Sequence, residues 1–420
     1  MATTGNPAGE FESQLRWYYS KHFPIDLFHR WLSYGDESYF PRREISFTLP
    51  GDVYLRFRSF ANADELLETL KKQTPIKIDI GAVYNISPKE RANVGASLVP
   101  LEKELVIDID MTDYYDVMGD LKEGDPVDVC DRNWQYIAGA VQIVDTALRE
   151  DFGFRHLLWV YSGRRGVHCW VADQGARSLS NEARSAIVSY LSVKMVSEDN
   201  AGRRIDDITN PLHPSLSRAK REVCEPLFNE FVLKDQGMMT TPQRIKQMLS
   251  FIPNPALREQ LLDRLTSTSS KNWSGTDKWE RVKHDLIKHS ETKTADYILF
   301  HYTYPRLDVN VSRDLGHLLK GPFCVHPGTG RVCVPFRAEE CEQFMPAKYA
   351  PHIENLIEDV NNVVKGQKEG EPSQYLNKAI KVFQEFVVGL EKEKAIAEEK
   401  KTHAKLSDMD RNGARDFLAV

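Results

Sequence analysis

The chain has 420 residues, 41% hydrophobic and 28% charged. That is enough for two or three globular units and excludes wholesale disorder. A net charge of −6 excludes an overall basic field, so any bound nucleic acid must meet a local groove.

Six dispersed cysteines (130, 169, 224, 324, 333 and 341) form no CxxC pair and no disulfide framework. They suit a reducing compartment. Residues 1–12 are polar and no run of about 18 apolar residues occurs, so neither a secretory leader nor a membrane span is expected.

In chain order, residues 11–33 predict two short aromatic-rich helices broken near Pro24. Residues 43–49 (REISFTL) and 53–60 (VYLRFRSF) alternate apolar and polar around Pro50-Gly51-Asp52, which predicts a hairpin. A helix is predicted at 63–73 and a strand at 77–84 (KIDIGAVY), followed by a polar loop at 86–101. Residues 104–110 (ELVIDID) predict a buried strand. Trp134, Ile137, Val141, Val144 and Leu148 make one stripe of an amphipathic helix over 134–149. Two strands, 157–161 (LLWVY) and 167–171 (VHCWV), flank the turn Ser162–Gly166.

Helical patterns dominate 179–295. Strand-like sequence returns at 305–312 (PRLDVNVS) and near 331–335. Residues 351–390 predict helices, and the mixed-charge run 391–401 predicts a solvated one. The expected fold is α/β (α+β). Its catalytic core runs over 1–178 and is completed by 300–340, with a helical subdomain at 179–299. C-terminal helices at 341–390 and a charged, flexible tail at 391–420 follow.

Asp108 and Asp110 end an apolar strand. Side chains two apart share a strand face about 7 Å from each other. Two such carboxylates repel unless a hard divalent cation lies between them, which suits Mg²⁺ or Mn²⁺. On spacing alone the pair could equally be a strand end entering a loop, and Asp113 and Asp116 could be loop acids. Asp308, set among Leu307, Val309 and Val311, is a third candidate carboxylate. It could also be a capping residue.

The turn Ser162-Gly163-Arg164-Arg165-Gly166 with His168 combines glycines for close approach with planar arginine forks for phosphate. A solvated hairpin tip is the plain alternative. Lys320 and His326 lie in a Gly- and Pro-flanked segment downstream of Asp308 and suit a triphosphate. Tyr54, Arg56 and Arg58 on one strand face, with Lys77 and Asp79 on another strand, could line a groove for single-stranded template. They could also be the exposed face of a half-buried sheet.

The runs SKHFPIDLFHRWLSYGD, REISFTL, KIDIGAVY, KELVIDIDMTDY, DFGFRHLLWVYSGRRGVHCW, YPRLDVNVS and HLLKGPFCVHPGTGR resemble the eukaryotic-type primase small subunit, of the archaeo-eukaryotic primase superfamily. The resemblance covers roughly residues 11–172 and 300–335. It implies an RRM-like sheet paired with a second α/β unit and an inserted helical subdomain. It implies Asp108, Asp110 and Asp308 as metal-binding catalytic acids. Ser162, Arg164, Arg165, His168, Lys320 and His326 are implied as triphosphate and sugar contacts. Glu44, Tyr54, Arg56, Lys77 and Asp79 are implied near the nucleotide and initiation site.

The implied activity is DNA-templated synthesis of short RNA primers from ribonucleoside triphosphates in the nucleus. The implied partners are an iron–sulfur-carrying primase large subunit and the DNA polymerase alpha complex. One departure stands out. The family's structural zinc needs four ligands, yet Asp116–Trp134 holds only Cys130, so that zinc is expected to be absent.

Three other readings stay open: a repair polymerase of the same superfamily using deoxynucleotides, a non-catalytic single-strand-binding scaffold, and a metal-dependent nuclease. A scaffold gains nothing from clustered carboxylates, and a nuclease gains nothing from a triphosphate clamp.

Overall fold

The computed structural model describes residues 7–118, 127–193, 208–209 and 211–417. Two antiparallel sheets organise it. Their strands are β1 (Arg43–Leu49), β2 (Val53–Arg58), β3 (Lys77–Tyr84), β4 (Pro100–Glu102), β5 (Leu105–Asp110), β6 (Leu157–Tyr161), β7 (Gly166–Val171), β8 (Leu319–Lys320) and β9 (Pro335–Phe336). The first sheet runs β2-β1-β3-β4, with β8 also paired to β3; the second runs β5-β7-β6-β9. The mixed α/β expectation holds.

Strand β5 lacks polar alternation until its end because both of its faces are covered. Leu105, Val106, Ile107 and Ile109 are fully buried. The helix Val127–Thr146 packs against this sheet with its predicted apolar stripe buried. Trp31, on the helix Ile25–Ser33, meets Trp170 of β7 edge-on at 5.3 Å and Phe383 at 5.7 Å. The long helix Glu371–Phe417 is thereby tied to the same core.

Helices fill the region after Ser180, and the sequence marks their starts. Ser180, Thr241, Asn254 and Ser274 each accept a first-turn N–H, with a reciprocal capping box between Ser274 and Asp277. Among the described residues no helix is long and apolar enough to cross a membrane.

Three sequence expectations need correction. The polar loop expected at 86–101 holds a short helix, Arg91–Val94, and the start of β4 at Pro100. Residues 305–312 do not form a strand: Asp308 caps a short helix, Val309–Arg313, by accepting from the Asn310 N–H at 2.9 Å. The alternation of Leu307, Val309 and Val311 mimicked strand periodicity, but the cap redirected the chain. Nor does simple alternation put Arg56 and Arg58 on one face. Phe57 has φ +57° and the β1–β2 register shifts there, which places Arg58 opposite Ile45. The zinc expectation falls on Asp116–Trp134, where residues 119–126 and the Cys130 side chain lie outside the described residues.

Candidate active site

The site forms where the two sheets meet. Strand β5 carries Asp108 and Asp110, registered opposite His168 and Gly166 of β7. Glycine is required at 166, since a Cβ there would lie 2.4 Å from the Ile109 carbonyl. The third acid arrives from far along the chain: the Asp308 N–H donates to the Asp108 carbonyl at 3.1 Å, on the open edge of β5.

Burial pushes the Asp108 carboxyl up to about 7, helped by the negative charges of Asp110, Asp308 and Asp113. Burial and then Asp110 and Asp308 raise Asp113 as well. Asp113 therefore belongs to the acidic cluster, although in sequence it resembled a loop acid. Its position three residues past Asp110, in one tight turn, was the available signal.

Asp116 is different. Burial alone would raise it, but hydrogen bonds from His301 and Arg306 hold its carboxyl well below the usual carboxylate range. The donor set of the cluster fits hard divalent cations: carboxylates whose mutual repulsion Lys320 and Arg306 offset only in part, and which a cation would join.

A positive pocket adjoins the acids. Lys320 sits on β8 opposite Asp79 of β3, and its Nζ donates to the Ser162 carbonyl at 2.5 Å. One side chain thus joins the first sheet to the turn of the second. Gly163 has φ +89°, and a Cβ there would come within 2.7 Å of His326 Cβ, so the turn and the His326 loop lie against each other. Thr329 Oγ1 closes that contact on the Gly163 carbonyl at 2.6 Å.

Arg165 is buried. Its Nη1 donates to Tyr115 Oη at 2.7 Å, while its Nε is buried without a hydrogen-bond partner. Tyr115 had carried no signal in the sequence. Burial, with the nearby charges of Lys320, Arg164 and Arg165, pushes His326 down to about 3. Burial and Lys320 push His168 down to about 3 too. His168 Nε2 lies 3.6 Å from Asp108 Oδ1, so this neutral imidazole is a neighbour of Asp108 and not its counter-ion.

On the first sheet, Lys77 pairs with buried Asp79 at 3.2 Å, and burial raises Asp79 against the pull of Lys77 and Lys320. These two residues join the site through Lys320. Glu44 and Arg56 pair with each other at 3.0 and 3.1 Å. Glu44, fully buried, also accepts from Tyr84 Oη and the Phe57 N–H, each at 3.0 Å. Arg56 reaches the Gly316 carbonyl at 3.3 Å, which ties this pair to the loop before β8. Tyr54 is half exposed, its hydroxyl accepting from Ser46 Oγ at 3.1 Å.

Residues 107–338 match the family model for the DNA primase small subunit. A DNA primase small subunit of Drosophila melanogaster is 38% identical over 364 residues, 83% of this chain and 82% of its own length. That of Schizosaccharomyces pombe is 37% identical over 85% of this chain and 80% of its own length. That of Saccharomyces cerevisiae is 35% identical, covering 85% and 87%. The model match spans the acids, the turn and the Lys320 loop together, and the chain belongs to the DNA primase small subunit family.

Proposed function

We propose that this chain is the catalytic subunit of a DNA primase, a DNA-directed RNA polymerase that begins RNA chains on single-stranded DNA during replication. The observation that carries the reading is the meeting of an acidic cluster and a positive pocket around Lys320, whose charge acts on Asp108, His168 and His326 alike. Acids alone would serve a nuclease, and a basic pocket alone would serve a phosphate binder. Nucleotidyl transfer needs both side by side.

Asp108, Asp110 and Asp308 would hold two divalent ions, Mg²⁺ or Mn²⁺. Such ions, when bound, activate the attacking 3′-hydroxyl and stabilise the leaving pyrophosphate. Arg164, Arg165 and Lys320 neutralise and align the triphosphate. Ser162, His168 and His326 act there as uncharged hydrogen-bonding groups. Lys77, Asp79, Glu44, Arg56 and Tyr54 border the side where the initiating nucleotide and template lie. Starting without a primer needs two nucleotides at once, so affinity for the initiating one is expected to be poor. The reading carries with it a nuclear location, an iron–sulfur-bearing large subunit and hand-over of the primer to DNA polymerase alpha.

The test is synthesis on poly(dT) with ATP and Mg²⁺ or Mn²⁺, no primer, and the large subunit added. Short RNA that disappears in Asp308→Ala supports primase and the third acid together. Extension of a supplied primer with deoxynucleotides, and no new starts, would instead favour a repair polymerase. Near-wild-type synthesis by Asp308→Ala would sink the triad.

A further inference from the structure

Away from the catalytic acids, another set of ligand-type side chains converges. His156 precedes β6, Asp173 follows β7, and Glu393 lies on the helix Glu371–Phe417. One ligand atom from each lies within 4.8 Å of the other two.

Asp173 is fixed in place. Its oxygens accept the Arg155 and His156 N–H groups at 2.9 and 3.0 Å, and the Ala172 N–H closes the ladder on the His156 carbonyl at 2.9 Å. Each carboxylate oxygen keeps a second lone pair. The imidazole lies against the helix at Gly389, where a Cβ would sit 3.4 Å from Nδ1. Its Nε2 meets Glu393 Oε2.

Ties on either side of Glu393 hold the helix in register. Arg30 grips Glu391 through two bonds at 2.8 and 2.7 Å, and Lys394 Nζ reaches the Gly35 carbonyl at 2.9 Å. The three residues line a cleft of about 540 Å³, and the Glu393 side chain is 52% exposed, so a hydrated ion can reach them.

We propose that His156, Asp173 and Glu393 bind a zinc-class divalent ion, separate from the catalytic acids, which fastens the C-terminal helix to the catalytic sheet. A neutral imidazole and two carboxylates balance a dication. The imidazole favours a transition-metal ion over Mg²⁺; with three protein ligands the fourth tetrahedral position falls to water, an open site unlike the closed four-ligand kind of the family's structural zinc. An ion needs a third ligand, which Asp173 brings through the lone pairs that its two backbone hydrogen bonds leave free.

The experiment measures zinc retained by the full chain after dialysis in excess Mg²⁺, which keeps the catalytic acids occupied. Wild type, His156→Gln, Glu393→Gln and, as control, Glu391→Gln are compared. Wild type and Glu391→Gln should retain one equivalent that His156→Gln and Glu393→Gln lose, or bind at least about 10-fold more weakly. Added zinc should raise Tm in the first two proteins only. Equal zinc retention and equal Tm response in all four would overturn the site and leave a hydrogen-bonded staple. Glu393→Gln changes a half-exposed helix position, so it decides the matter even if His156→Gln fails to fold.

Discussion

Asp108 acquires its chemistry from residues that surround it in space. Burial, Asp110, Asp308 and Asp113 hold its carboxyl up to about 7. Proton and cation compete for the same oxygens, so divalent-ion affinity should weaken as pH falls below that value, by at most about tenfold per unit. Calorimetry at pH 6 in buffers of different ionisation enthalpy should detect close to one proton released per protein; no release would contradict the shift. Arg165 is a buried guanidinium beside the acids, and its Nε has no hydrogen-bond partner within the protein. Arg165→Ala should raise the nucleotide KM by about 10-fold or more, the scale of a lost charge-assisted hydrogen bond. Tyr115→Phe, which removes only the orienting 2.7 Å bond, should raise it less. An unchanged KM in Arg165→Ala would remove this residue from the clamp.

Among the elements, β5 and β7 hold the acids at a spacing that a single methyl group would disturb. Gly166→Ala would drive a Cβ to within 2.4 Å of the Ile109 carbonyl. It should cost about 1–3 kcal/mol and abolish synthesis, read as a lower Tm with inactive protein. Asp308→Ala should behave differently: it removes a cap from a five-residue helix, about 1 kcal/mol, so Tm should hardly move while synthesis disappears. A large Tm loss in Asp308→Ala would make its inactivity uninformative about metal binding. Strands with strong periodicity were legible from sequence: 77–84 and 157–161 are observed with the expected bounds. The segment 305–312 was not, because one capping carboxylate and one bond to the β5 edge outweighed its alternation.

At the scale of the whole molecule, a buried ion pair crosses from one sheet to the other. Arg43 of β1 and Glu104, just before β5, are both fully buried and joined by bonds of 2.8 and 3.0 Å. Tyr34 adds a third bond to Glu104 at 2.5 Å, and Arg184 donates to the Glu104 carbonyl at 3.0 Å. Burial alone would raise the Glu104 carboxyl, but Arg43 and Tyr34 bring it down from 4.5 to about 2. The folded value lies below the unfolded one. The stabilisation is therefore complete above pH 4.5 and is lost as pH falls toward 2. Glu104→Ala should destabilise by about 3–5 kcal/mol, because it strands a buried guanidinium. Thermal denaturation across this acid range should show a steep fall in wild type and a flatter, lower curve in the variant.

The sequence by itself determined most of the local strands and helices, with 305–312 and 86–101 as exceptions, and it determined the chemistry each carries. Apolar β5 ends in two acids, an arginine turn lies between two buried strands, and Ser, Thr and Asn mark helix starts. These are properties of neighbours in the chain, and hydrophobic periodicity and capping report them directly. Only the tertiary structure decided which of these groups meet. Lys320 reaches the Ser162 carbonyl from 158 residues away, and Asp308 hydrogen-bonds to Asp108. Glu44 neutralises Arg56, and Asp113 joins the acids while Asp116 is drawn off by Arg306. Charge state and ligand competence arise from burial and from charges a few ångströms away. Those distances are fixed by packing between distant segments, which no local pattern encodes.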